Sequence, residues 1–250
     1  MCTLVLLRRP SEAWPLIVAA NRDEMAGRLW RAPARHWPDR PEVVAGLDEL
    51  AGGSWLGLND HGVVAAVLNR TGSLGPAEGK RSRGELVLDA LDHADAVDAA
   101  AAFMDLDASA WRSFNLVIAD SRDAFWVRGL GAGRTQVTPV PEGVSMLAST
   151  DLSDTVHPRI ARYLPRFRDL PAPDPGSGRW EAWIATLSAR EHDPTEPDSR
   201  NAMTVATDWG YGTVSSSLIA VPAPESDDRR PVWLFAAGRP DATEYTQLKL

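Results

Sequence analysis

The sequence predicts an α+β fold, and three observations predict it. Short apolar runs bounded by turn-forming residues fill the early part of the 250-residue chain. Helical spacing behind N-capping residues appears in the middle, and the late part returns to short apolar runs. Strands and helices do not alternate as βαβ units would, and no internal repeat is visible.

Thr3 to Leu7 and Pro15 to Ala20 read as a hairpin about Arg9-Pro10-Ser11-Glu12, their length favouring strand over helix. Arg22 to Asp48 is rich in Arg, Pro and Trp without periodicity and reads as an extended ordered loop. Gly52 to Leu58 and Val63 to Leu68 form a second strand pair turned at Asn59-Asp60-His61-Gly62. Ser82-Arg83-Gly84-Glu85 has the form of a capping box, with Leu86, Val87, Ala90 and Leu91 following at helical spacing. A second helix is expected from about Asp95 to Met104. Phe114 to Ala119 and Ala124 to Val127 make another hairpin about Asp120-Ser121-Arg122-Asp123, and Val137 to Val140 and Val144 to Leu147 read as strands. Thr155 to Phe167 reads as a helix limited by Pro158 and Pro165. Pro171 to Gly178 is a Pro/Gly-rich loop, Trp180 to Ala189 a modest helix, and Asp193 to Arg200 a polar, mobile stretch. Ser215 to Val221, Val232 to Ala236 and Glu244 to Leu248 supply the last strands, and the whole is expected to be one domain over 1–250.

Composition excludes several function classes. Formal charge is 26 − 34 = −8, which disfavours a phosphate backbone as partner. No apolar run approaches the roughly 18 residues of a membrane span, and the start lacks the features of a signal peptide, so a cytoplasmic protein is expected. A single cysteine cannot form an internal disulfide or a multi-thiolate zinc site. His36, His61, His93, His157 and His192 show no paired-ligand spacing, so no metal is expected. Gly129-Leu130-Gly131-Ala132-Gly133 lacks strand–turn–helix context and reads as a turn. Arginine dominates the basic residues, only Lys80 and Lys249 being lysines, and with the many alanines this suggests a GC-rich bacterial genome.

The one cysteine, Cys2, lies directly behind the initiator methionine. Removal of Met1 would leave it a free α-amine with a reference pKa of about 7.7–8.0 beside its own thiol, so one residue could supply nucleophile and base. The alternative is a small buried hydrophobe opening an edge strand. Asn21-Arg22-Asp23-Glu24 ends the strand expected to pair with the one after Cys2. An aspartate there could hold the amine and an arginine could lower the thiol pKa, or the run could be a solvated turn.

Met1-Cys2-Thr3 with Asn21-Arg22-Asp23-Glu24 resembles the NRDE family, also called the transport-and-Golgi-organisation family. The resemblance continues through Arg28, Gly52-Gly53-Ser54-Trp55-Leu56-Gly57, Ala65 to Arg70, Ser82-Arg83-Gly84, Leu147 to Thr150, His157-Pro158-Arg159 and Tyr211 to Ser216. It implies the four-layer αββα sandwich of N-terminal nucleophile hydrolases, and similarity to the cholylglycine hydrolase and penicillin V acylase group. On that resemblance Cys2 matches the nucleophile, Asp23 the amine-binding aspartate and Asn69 the oxyanion asparagine. Asn21 matches an asparagine of that group, while Arg22 falls one residue out of register with its arginine. Trp55 is a candidate pocket wall with Trp30 and Trp37, and Thr150 stands where a second asparagine usually follows. Val214 replaces an arginine often found after Tyr-Gly-Thr, so two polar groups of the pattern are missing.

The resemblance therefore implies a cofactor-free hydrolase attacking an unidentified linear amide through Cys2. The alternative it implies is a non-catalytic small-molecule binding or trafficking protein on the same fold, with haem among its ligands, although no CxxCH motif is present. A structural or membrane-traffic role, which the family name suggests, fits the acidic charge and the lack of a span poorly.

Overall fold

In the computed structural model the described residues are 2–192, 198–224 and 229–250. The expected removal of Met1 and most of the expected mobile stretch from Asp193 lie outside them. In chain order the first strands are β1 (Thr3–Arg8), β2 (Leu16–Met25), β3 (Trp30–Ala34), β4 (Val43–Asp48), β5 (Leu56–Asn59) and β6 (Val64–Asn69). Helices α1 (Gly84–Leu91) and α2 (Ala96–Ala102) follow, then β7 (Phe114–Ala119), β8 (Ala124–Gly129), β9 (Gln136–Pro139) and β10 (Gly143–Leu147). Next come α3 (Pro158–Asp169), α4 (Glu181–Leu187), β11 (Tyr211–Val221), β12 (Val232–Ala236) and β13 (Thr246–Gln247). Among the described residues no helix is long and apolar enough to cross a membrane.

The chain divides into two compact units. The first, Met1–Arg28 with Glu142–Lys249, holds an antiparallel sheet in the order β10-β1-β2-β11-β12-β13. Alternate strand residues point to opposite faces, and Val5, Leu7, Ile17 and Ala19 pack with Ile160, Tyr163, Phe167 and Trp183 of α3 and α4. Leu4, Leu6, Leu16 and Val18, on the opposite parity, are buried as well. The second unit, Leu29–Pro141 with Leu250, is a seven-stranded meander running β3 to β9 in sequence order. Val43, Ala45, Ala65, Leu116 and Ile118 pack there against Leu86, Val87 and Leu91 of α1 and Ala96 and Ala99 of α2.

Three local expectations change. The stretch from Arg22 to Asp48 is not one loop, because β2 continues to Met25 and β3 and β4 form within it. β3 is a sheet-edge strand with exposed Arg31 and Ala32 and an irregularity between Arg31 and Ala34, so it lacks the apolar alternation that marks a strand. Gly52 to Trp55 is not strand; Gly53 instead lies against Gly84, with Ser54 N–H donating to the Gly84 carbonyl at 3.0 Å. Nor does Ser82 to Glu85 close a capping box. The Ser82 hydroxyl accepts from Gly84 N–H at 3.2 Å, while the Glu85 carboxylate is engaged by Trp111 Nε1 at 2.6 Å and by Arg81.

Turn chemistry holds where side chains close the turns locally. Asn59 Oδ1 accepts from the N–H groups of His61 and Val63, and its Nδ2 donates to the Leu91 and His93 carbonyls. That one side chain both shapes the β5–β6 turn and ties it to the end of α1. Asp95 caps α2 through Asp98 N–H.

Candidate active site

Cys2 stands one residue before β1, which lies inside its sheet between β10 and β2. Leu4 pairs with Leu147 and Thr3 with Asn21, so continuing both registers puts Cys2 level with Ser149 on one side and Arg22 on the other. Thr150 lies one step further along. The half-buried thiol donates to the Asp23 backbone carbonyl at 3.8 Å. Burial pushes this thiol above its ordinary pKa, and the Asp23 charge adds to the rise; the positive α-amine of the chain, then the Asp23 carbonyl hydrogen bond and Arg22, act in the opposite direction.

Asp23 is buried, and its two carboxylate oxygens have different partners. Oδ1 accepts from the Thr213 hydroxyl at 2.7 Å, and Thr213 Oγ1 itself accepts from Val205 N–H at 2.9 Å. Oδ2 pairs with Arg159 Nη1 at 3.1 Å, both side chains being fully buried. Arg159 also donates to Thr3 Oγ1 and to the Arg200 carbonyl. Thr213 reaches Asp23 at a β-bulge, where the β2–β11 register shifts between Thr213 and Ser215 and Val214 is the extra residue. Gly212 is required just before it, because a Cβ there would lie 2.7 Å from the Val205 carbonyl oxygen.

The start of α3 brings Arg159 into place. His157 is the N-cap, and its Nδ1 accepts from Arg159 N–H at 3.2 Å. Pro158 follows at the first helical position, where a missing N–H costs nothing. The accepting nitrogen must be unprotonated, which agrees with burial and the Arg159 charge lowering this imidazole to about 4.

Asn21 shares the helix-covered face of β2 with Asp23, and its hydrogen-bonding capacity goes to the protein. Nδ2 donates to the Leu187 carbonyl at 3.0 Å and the Met203 carbonyl at 2.9 Å, while Oδ1 accepts from Ser216 at 2.6 Å. Ser216 in turn accepts from Tyr245 at 2.6 Å. This amide fastens β2 to the segment after α4. Arg22, on the other parity, is buried and lies 3.9 Å from Glu24.

Asn69 and Trp55 belong to the second unit. Asn69 ends β6 opposite Phe114, is half-buried, and its side chain makes no hydrogen bond among the described residues. Trp55 is half-buried and meets Trp30 edge-on with ring centroids 5.8 Å apart; Gly46 leaves room for its ring, since a Cβ there would lie 2.3 Å from it. Among the described residues no group of three or more His, Cys, Asp and Glu side chains could share a metal ion.

Arg159 and Thr213 are the partners of Asp23 that sequence reasoning did not single out. Their only signal was membership of the His157-Pro158-Arg159 and Tyr211 to Ser216 patches.

Comparison with known proteins agrees with this architecture. The Caenorhabditis elegans ortholog of N-acylethanolamine-hydrolyzing acid amidase superposes with a TM-score of 0.58 at 13% identity, covering 99% of this chain and 100% of that one. A variant of conjugated bile acid hydrolase from Clostridium perfringens gives 0.50 at 12% identity, covering 100% and 97%. At such identities the likeness is one of fold, and that fold is the α+β N-terminal nucleophile hydrolase type. The bovine Transport and Golgi organization protein 2 homolog is 38% identical over 120 residues, 43% of this chain. The match spans 40% of that relative's own length. Because the model of the Transport and Golgi organisation 2 family matches residues 1–226, the chain belongs to that family.

Proposed function

We propose that this protein is an N-terminal-cysteine amidohydrolase acting on a small linear amide. The observation that carries the reading is the sole cysteine directly before an interior strand, beside a buried aspartate held from two directions. A thiol raised by burial needs a base close by. With Met1 removed, the α-amine of Cys2 is the nearest group able to serve, titrating near about 8 when free. The amine takes the thiol proton as sulfur attacks the amide carbonyl. It then returns that proton to the leaving nitrogen, so the C–N bond breaks and a thioester remains. Water, deprotonated by the same amine, hydrolyses the thioester and frees the thiol. Asp23 would orient the amine.

Intact mass with and without an electrophilic thiol probe, followed by assay on a panel of linear N-acyl amides, tests this. The expected chain lacks Met1, carries one adduct after treatment and loses hydrolysis with it. Cys2→Ala should lower hydrolysis by about 10³-fold or more. Retention of Met1, or hydrolysis untouched in Cys2→Ser and Cys2→Ala, overturns the reading.

A further inference from the structure

We propose that Arg159 is a positioning residue for the Cys2 centre: its guanidinium offsets the Asp23 charge beside the thiol and ties Asp23 to Thr3, the residue after the nucleophile. The proposal rests on Cys2 being the reactive group.

The geometry argues for a role beyond packing. Arg159 is fully buried, and a buried guanidinium is costly unless paired and hydrogen-bonded. It also stands in the first turn of α3, where the positive end of the helix dipole opposes a cation. An apolar side chain would fill this space at less cost, so what Arg159 contributes must lie in its contacts. One guanidinium nitrogen reaches both Asp23 Oδ2 and Thr3 Oγ1; the other reaches the Arg200 carbonyl. Those contacts fix the two residues that flank the thiol, Thr3 by the chain and Asp23 by the Sγ–carbonyl hydrogen bond.

The charge consequence has a definite sign. A carboxylate near a thiol disfavours thiolate, and the Arg159 guanidinium, paired with that carboxylate at 3.1 Å, cancels part of its field. Removing Arg159 should make the thiol harder to ionise, removing Asp23 should make it easier, and removing both should nearly restore the starting value. The other charged groups around the centre are the chain's α-amine, Arg22 and Glu24 on β2, Asp154 and His157 before α3, and Asp198 and Arg200 after α4. His157, lowered to about 4, titrates below the range in which a thiol is followed.

The single cysteine makes the test direct. The rate of iodoacetamide alkylation is followed by intact mass from about pH 6 to about pH 10 in the full chain, comparing variants of one processing state. Where Met1 is absent, the midpoint in each variant belongs to the coupled thiol and amine and not to the thiol alone. Arg159→Met should raise the midpoint by about one unit, and Arg159→Lys should stay within about 0.3 of the unmodified protein. Asp23→Asn should lower it, and the double variant should return close to the start. A folded Arg159→Met with an unmoved midpoint overturns the proposal. Should Arg159→Met alone fail to fold, the double variant, which leaves no unpaired buried charge, is compared with Asp23→Asn; equal midpoints overturn the proposal there too. The same spectra report whether Met1 is present. A chain retaining Met1 defeats the amine-base mechanism while leaving the Arg159 comparison readable.

Discussion

His157 accepts the Arg159 N–H at Nδ1, so the folded protein holds its imidazole neutral. Burial, with the nearby guanidinium, lowers its pKa to about 4, while in the unfolded chain it sits near 6.5. The folded state therefore refuses a proton that the unfolded state takes. Its contribution is complete above about pH 6.5 and is lost as pH falls toward 4, amounting to about 3 kcal/mol. His157→Asn keeps an N-cap acceptor and removes the titration. Urea denaturation at several pH values should show the native protein losing about 3 kcal/mol more than the variant between about pH 7 and pH 4; parallel losses would contradict the buried neutral imidazole. At this scale the sequence shows candidates more readily than their partners. Cys2 and Asp23 stand in short runs whose chemistry is local. Arg159 and Thr213 lie 136 and 190 residues from Asp23, and a side-chain pair over such distances leaves no periodicity or spacing to read. Asn21 shows the other limit: an amide that staples backbone carbonyls looks, in one dimension, the same as one that awaits a ligand.

Elements meet through backbone at one point, where the Gly53 segment lies on the first turn of α1. A Cβ on Gly53 would sit 2.5 Å from the Gly84 carbonyl carbon and 2.8 Å from its Cα, and one on Gly84 would sit 3.0 Å from Ser54 nitrogen. Neither neighbour is a side chain that could swing away, and the Ser54–Gly84 hydrogen bond lies in the same contact. Gly53→Ala should therefore lower stability to urea by about 2–3 kcal/mol. Gly27→Ala, with nothing within 4 Å of the added carbon, should stay within about 0.5 kcal/mol. An equal cost at both positions would mean that backbone entropy, not this contact, sets the requirement. Gly53 and Gly84 are explained by their mutual approach, which neither motif alone could reveal. Among the described residues, most strands and all four helices were legible because apolar runs between Asn, Asp and Gly turns carry their own signal. β3 was not, because an exposed, irregular edge strand has no buried alternation to display. The Ser82 to Glu85 capping box failed for a related reason: Glu85 finds Trp111, a partner that local spacing cannot anticipate.

Across the whole molecule, the two units differ in how far apart their pairing strands lie along the chain. Leu29–Pro141 is one continuous segment whose strands follow each other as a meander from β3 to β9. The other unit closes only when β1 and β2 find β10 and β11, with Leu4 opposite Leu147 and Asn21 opposite Ser216. Closing the longer loops costs more entropy before any contact rewards it, and strand pairing over such separations is slow. Asp23 lies on β2 and Cys2 just before β1, so the candidate site is expected to assemble only once the chain beyond Tyr211 is in place. Pulse-labelled hydrogen exchange during refolding from urea, read by mass spectrometry on peptides, should find amides of β5 to β8 protected before those of β1, β2 and β11. Iodoacetamide added at successive refolding times should see Cys2 lose its unfolded-state reactivity with the second group, not the first. Protection of β1 and β2 together with β5 to β8 would show instead that the molecule folds in one step, with pairing distance no guide to its order.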